Sequence, residues 1–106
     1  MLKLLLFALL GICSVYGQSY EVKIQYTPPN LSILVPVVDP DVTSVLFHYG
    51  SRINSQRTAR GVAAADGWEY YHDFPVISGD VIYAYADIQY KSGLLITTPH
   101  VTLLVP

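Results

Sequence analysis

The chain has 106 residues, a formal net charge of −2 and a single cysteine. A chain of this length can bury one modest hydrophobic core and leaves no room for a second domain. Proteins that bind nucleic acids or anionic membranes usually carry dense positive charge, whereas this chain has a small net negative charge. The composition therefore argues against both as partners.

The N-terminal segment has the pattern of a secretory signal peptide. Lys3 precedes an apolar run over residues 4–12, and the small or neutral residues Val15 and Gly17 predict cleavage after Gly17. The apolar run is well short of the ~20 residues that a bilayer crossing needs, which makes a membrane anchor the weaker alternative. We therefore predict a leader over residues 1–17, a single domain over residues 18–106, and a secreted, extracellular protein.

The loss of this leader would change the composition of the domain. Cys13 leaves with it, so the exported chain contains no cysteine and forms no disulfide, although many small secreted domains depend on them. Removing Lys3 leaves five basic against eight acidic side chains, a net charge of −3. The hydrophobic core must therefore supply the stability.

The rest of the chain has a hydrophobic period of two and no sustained 3.6-residue period. A polar loop, residues 51–61, is predicted after the third strand, and Pro36 within the second marks an edge or a bulge. The turn-bounded strands are typical of an all-β, immunoglobulin/fibronectin III-like antiparallel β-sandwich without disulfides. The predicted strands cover residues 20–26, 31–38, 42–50, 68–74, 80–90 and 94–105.

Asn30 begins the sequence Asn-Leu-Ser directly after two prolines. This is an N-x-S sequon in a turn, and in an exported protein it is a candidate glycosylation site. An unmodified turn asparagine is the equally weighted alternative.

The segment 80–90 alternates between two sets of side chains. One set is small or aliphatic and suits a core, whereas the other carries two rings, a carboxylate and an amide: Tyr83, Tyr85, Asp87 and Gln89. Rings that pack on sugar C–H groups, next to polar groups that hold hydroxyls, make a carbohydrate-binding surface. Tyr85 and Asp87 are therefore candidate binding residues. Tyr83 has the spacing of a structural corner tyrosine, whose hydroxyl bonds to the backbone upstream.

Residues 68–74 form a second aromatic strand. Trp68, Tyr70, His72 and Phe74 share one face, which we expect to be half-buried. A single tryptophan in a sandwich is more often a core anchor than a ligand contact, and both readings stay open for Trp68.

Several motifs together resemble a known family. VLFHYG, an eleven-residue polar loop, GW, SGDVIYAY and KSGL are similar to the N-terminal domain of insect β-1,3-glucan recognition proteins, also called Gram-negative bacteria-binding proteins. The resemblance covers nearly all of the domain. It implies a fibronectin-like sandwich that binds long β-1,3-glucans and starts antimicrobial signalling, here as a short form without the glucanase-like domain of full-length members.

The resemblance also assigns roles to particular residues. Trp68, after Gly67, matches a family tryptophan implicated in glucan contact, and Tyr85 stands where the family tends to have a large aromatic. Ala84 departs from a position that is often aromatic. The loop departs as well, because it carries three arginines where the family mixes in acidic residues. Arg52 and its neighbours could donate hydrogen bonds to sugar hydroxyls or attract an acidic polymer or protein.

Catalysis finds little support in the sequence. Glycoside hydrolysis needs two carboxylates roughly 5–10 Å apart across a cleft, whereas Glu69 and Asp73 would lie about 13 Å apart along one strand. His48, His72 and His100 lack the spacing of a metal site, and no G-x-S-x-G turn frames a nucleophile. We predict no enzyme activity, no metal and no cofactor.

Two functional hypotheses remain. The first is a secreted lectin that recognises β-1,3-glucan or a related microbial polysaccharide in innate immunity, with Trp68, Tyr85, Arg52, Asp87 and Tyr70 as its binding residues. The second is a secreted fibronectin-like protein-interaction module with no glycan ligand, because Tyr and Arg are also favoured at protein interfaces.

Overall fold

A computed structural model describes residues 20–106, and the predicted leader lies outside this range. The described residues form β-strands and no helix, and therefore contain no helix able to cross a membrane. The strands are β1 Lys23–Thr27, β2 Asn30–Val35, β3 Val42–Ser51, β4 Arg57–Arg60, β5 Val62–Ala64, β6 Gly67–Asp73, β7 Val81–Tyr90, β8 Leu95–Thr97 and β9 Val101–Leu104.

The strands make two antiparallel sheets. The four-stranded sheet has the order β1-β2-β6-β5, and the five-stranded sheet has the order β4-β3-β7. Strands β8 and β9 both pair with the remaining edge of β7, β8 along residues 87–89 and β9 along residues 81–84. The prediction of an all-β antiparallel protein is confirmed.

The core lies between the two sheets. On β7 the predicted inward set is fully buried, and on β2 the alternate positions Leu31, Ile33 and Val35 are buried from the opposite side. The largest buried rings, Tyr49, Phe47 and Phe74, fill the space between these strands. A side-chain period of two on both sheets is therefore sufficient to define this core.

The strand boundaries differ from the sequence prediction in several places, and β5 was not predicted. The predicted polar loop contains β4, an edge strand whose mostly exposed side chains look like a loop in sequence. β2 ends at Val35, so Pro36 follows the strand. The last predicted strand is two strands, and Pro99 lies in the gap between β8 and β9, since proline cannot donate to the ladder.

Two tyrosines have unexpected structural roles. The Tyr26 hydroxyl donates to the Phe74 carbonyl oxygen at 2.9 Å and accepts from the Val76 N–H at 3.2 Å, which ties β1 to the chain after β6. Tyr83 does not form the predicted corner. Its ring instead covers Gly50, its cross-strand partner, where an added Cβ would collide with the tyrosine ring.

The turn between β5 and β6 depends on Gly67. This residue has φ of +146°, and an added Cβ would collide with the Val35 carbonyl oxygen. Only glycine tolerates both conditions. The close approach sets Trp68 opposite Val35 at the end of β2.

Candidate functional site

Three stacked rings stand on the outer face of the five-stranded sheet. We call His48, Tyr85 and His100 the ring row. His48 stacks on Tyr85 at a centroid distance of 4.6 Å and 15°, and His100 stacks on Tyr85 at 4.1 Å and 2°. Each ring comes from a different segment, because β3 lies on one side of β7 and the start of β9 lies on the other.

This arrangement determines what Tyr85 can offer a ligand. Since its neighbours flank it on opposite sides, both faces of the ring are covered. A ligand can therefore contact the edge of the Tyr85 ring and not its faces. Tyr85 is suited to hydrogen bonding and edge contact, and not to packing its face on a sugar ring.

Asp87 lies next to the ring row with both carboxylate oxygens engaged. Oδ2 lies 2.9 Å from His48 Nε2, and Oδ1 accepts from the Thr97 hydroxyl at 2.7 Å. Partial burial by itself would raise the pKa of Asp87, but the hydrogen bonds from Thr97 and His48, with the charge interaction of His48, hold it below the ordinary value. The group is a fixed carboxylate, and its remaining lone pairs are available to hydroxyl donors.

A chain of hydrogen bonds crosses the sheet through this carboxylate. The Thr58 hydroxyl lies 3.2 Å from His48 Nδ1, so the chain runs from β4 through β3 and β7 to β8. A neutral imidazole with its proton on Nε2 donates to Asp87 and accepts from Thr58. Each side chain is held by its neighbours, which fixes the geometry of the face before a ligand arrives.

Two of the predicted binding residues lie on the other side of the protein. Trp68 and Tyr70 project inward from β6 and pack, partly buried, against the core. Tyr70 lies 6.0 Å from the Tyr49 ring, between the sheets. Trp68 also lines a separate groove of about 310 Å³ at one end of the sandwich, together with Pro40 and Ala63. The structure therefore brings Tyr85 and Asp87 together and separates Trp68 and Tyr70 from them.

Arg52 lies at the end of the sandwich and joins two loops. Its guanidinium donates to the Gly79 carbonyl oxygen at 2.6 Å and lies 3.8 Å from the Asp80 carboxylate. Asp80 is buried and accepts from the backbone N–H groups of Arg52 and Val81. Burial alone would raise the pKa of Asp80, but these backbone hydrogen bonds, the Ser51 hydroxyl and the Arg52 charge lower it. The contacts of Arg52 are those of a loop anchor.

Asn30 is exposed at the first position of β2, where it pairs with Thr27. Its side chain is accessible to a modifying enzyme, and glycosylation stays a prediction.

The sequence reasoning missed His48, His100 and Thr58 as members of this face. A period of two places His48 on the outer side of β3, but only the cross-strand register sets it opposite Tyr85 and Thr58. Tyr71 was also not predicted as an exposed aromatic residue, although it is 61% exposed on the outer face of the four-stranded sheet. Among the described residues, no group of three or more His, Cys, Asp or Glu side chains could hold a metal ion.

The fold places the protein among two-sheet, all-β domains that include solved carbohydrate-binding modules. A bromine derivative of BhCBM56 matches with a TM-score of 0.66 and 22% identity, over 81% of this chain and 91% of that one. A β-1,3-glucan-binding domain of carbohydrate-binding module family 56 matches with a TM-score of 0.60 and 15% identity, over 79% and 96%. No protein-family model and no curated protein matches the sequence. At these identities the similarity establishes a shared fold.

Proposed function

We propose that this protein is a carbohydrate-binding module that retains β-1,3-glucan, or a related microbial polysaccharide, on the outer face of its five-stranded sheet. The observation that carries the proposal is the prearranged face itself, in which the ring row lies beside a carboxylate clamped by His48 and Thr97. The shared fold with a solved β-1,3-glucan-binding domain supports the same ligand class.

The face would bind sugar mainly by hydrogen bonds. Asp87 accepts from sugar hydroxyls, while the Tyr85 hydroxyl and the ring nitrogen atoms of His100 offer donors and acceptors along the ring edges. Because the side chains are already fixed, little conformational entropy is lost on binding. A repeating polymer engages several such contacts at once, so long glucans should bind more tightly than short ones.

The test is retention of the purified domain on insoluble curdlan, with cellulose and chitin as control polymers. We expect the wild type to sediment with curdlan, Asp87→Asn to lose most of this retention, and Asp73→Asn to keep it. Asp73 is a matched control, because it is an exposed aspartate on the opposite sheet. A wild type that does not sediment with curdlan would overturn the proposal.

The wider biological role is proposed on the sequence alone. Export after cleavage at Gly17 and a part in innate immunity follow from the leader pattern and from the insect family resemblance. The finer assignment to immunoglobulin or fibronectin III-like sandwiches also stays a prediction. Binding without catalysis is proposed because the solved structures of this fold are binding modules. Trp68, Tyr70 and Arg52 stay sequence-based proposals for ligand contacts.

A second candidate function is supported by one surface feature. Ile53 and Ile77 are 63% and 64% exposed and line a common groove with Arg52. Exposed aliphatic side chains beside an arginine are typical of protein interfaces. If the domain ignores curdlan, and Ile53→Ser instead abolishes binding to a protein captured from its natural fluid, the interaction module becomes the better assignment.

A further inference from the structure

A polar groove lies beside the ring row on the same face. It has a volume of about 280 Å³ and is bounded by side chains from four strands. Its lining includes Arg60, Leu46, Asp87, Ser44, Gln89 and Leu95. Asp87 and Gln89 belong to the outward set that the sequence predicts on β7, and Arg60 is one of the three arginines of the predicted loop.

The strand register explains why these side chains meet. Leu46 on β3 is paired with Arg60 on β4 and with Asp87 on β7, which makes one row across the sheet. The next row lies two residues further along β3 and β7, where Gln89 is paired with Ser44 and with Leu95. Rows separated by two residues lie about 7 Å apart, and the groove is the space between them.

The hydrogen-bonding groups of the groove are largely unused within the protein. Arg60 makes no ion pair and no side-chain hydrogen bond to any of residues 20–106. Gln89 uses its carbonyl oxygen to accept from Ser44 at 3.4 Å, which leaves its NH₂ group free to donate. Asp87 supplies the acceptor. Donors and an acceptor therefore surround a space that also has two leucine side chains.

We infer that this groove is a subsite for one pyranose ring of the glucan. The inference rests on the proposed function and names the residues that would select the sugar. One hydroxyl donates to Asp87, adjacent hydroxyl oxygens accept from Arg60 and Gln89, and the sugar C–H groups lie against Leu46 and Leu95. The volume lies just below the ~300–1,000 Å³ typical of ligand sites, which suits one sugar unit and not a chain segment.

Asp87 belongs to the subsite and is also hydrogen-bonded to His48 of the ring row. A glucan bound along the ring edges can therefore continue into the groove without leaving this carboxylate.

The subsite is tested with laminarin, a soluble β-1,3-glucan, by isothermal titration. Arg60→Gln removes the cation and Gln89→Ala removes the amide donor. The matched controls are Lys23→Gln and Gln25→Ala, which change the same kinds of side chain on the exposed outer face of β1. We expect each groove variant to bind about tenfold more weakly, because it loses a hydrogen bond to the ligand, and each control to stay within about twofold of wild type.

A second measurement does not depend on substitutions. In a titration of the wild type with laminaritriose followed by NMR, the methyl signals of Leu46 and Leu95 and the side-chain NH₂ signals of Gln89 should shift. If the wild type binds laminarin while the groove variants keep full affinity and these signals stay fixed, the subsite is wrong and the proposed function stands. If the wild type binds neither curdlan nor laminarin, both are wrong.

Discussion

The Tyr49 hydroxyl lies 2.8 Å from His72 Nε2, and this hydrogen bond joins the two sheets through the core. Tyr49 belongs to β3 and His72 to β6. Burial, followed by the neighbouring Tyr70, raises the pKa of Tyr49 to about 12. Burial, followed by the charge of Arg57, lowers the pKa of His72 below 6.5, although Asp73 acts in the opposite direction. Both partners are therefore neutral near pH 7, and the tyrosine O–H donates to the imidazole.

Replacing Tyr49 by phenylalanine should destabilise the domain. The change keeps the ring but leaves a half-buried imidazole nitrogen without its partner, which typically costs ~1–3 kcal/mol. For a domain of this size each 1 kcal/mol lowers Tm by about 4–8 °C. Thermal unfolding should show this loss for Tyr49→Phe. Tyr71→Phe is the matched control, because its exposed hydroxyl bonds only to Glu69, and its Tm should hardly change.

The stability of the domain should fall as the pH decreases below about 7. The unfolded chain binds a proton at His72 near the ordinary pKa of 6.5, while the folded protein binds it only at lower pH. Protons therefore favour the unfolded state between these two values, and stability rises with pH across the window. Denaturant unfolding at pH 7.5 and pH 5.5 measures the difference. His72→Asn should reduce it, and an unchanged pH dependence would assign it to other groups.

The sequence predicted the β class and the core well, because alternation is a local signal. Ile82 and Ile88 could be assigned to the core from their own strand. The candidate face could be predicted only in part. Tyr85 and Asp87 share one strand, whereas His48 and His100 reach them through pairing with residues distant in sequence. Trp68 could not be placed from sequence for a different reason. Its position in the alternating pattern shows which side chains share its face of the sheet, but not whether that face lies against the core or the solvent.

Asp80 should contribute more stability than its ion-pair partner. Asp80→Ala removes the buried carboxylate oxygen that accepts backbone hydrogen bonds from two residues, so we expect the larger loss of stability. Arg52→Ala removes a side chain that is 66% exposed, and exposed ion pairs typically contribute less than about 1 kcal/mol. Urea unfolding of both variants gives the comparison. Equal losses would mean that Asp80 stabilises the two loops through its ion pair with Arg52 and not through its backbone hydrogen bonds.

Trp68 decides between two locations for the binding site. If glucan binds the outer face of the five-stranded sheet, Trp68→Ala should lose about 3 kcal/mol of stability, the lower end of the range for truncating a buried tryptophan, because the side chain is only partly buried. The protein that stays folded should still sediment with curdlan. Trp68→Phe retains most of the packing and provides a folded variant if the alanine variant collapses. A folded Trp68→Phe domain that no longer sediments with curdlan, while Asp87→Asn still does, would place the site in the groove of Trp68, Pro40 and Ala63 at the end of the sandwich.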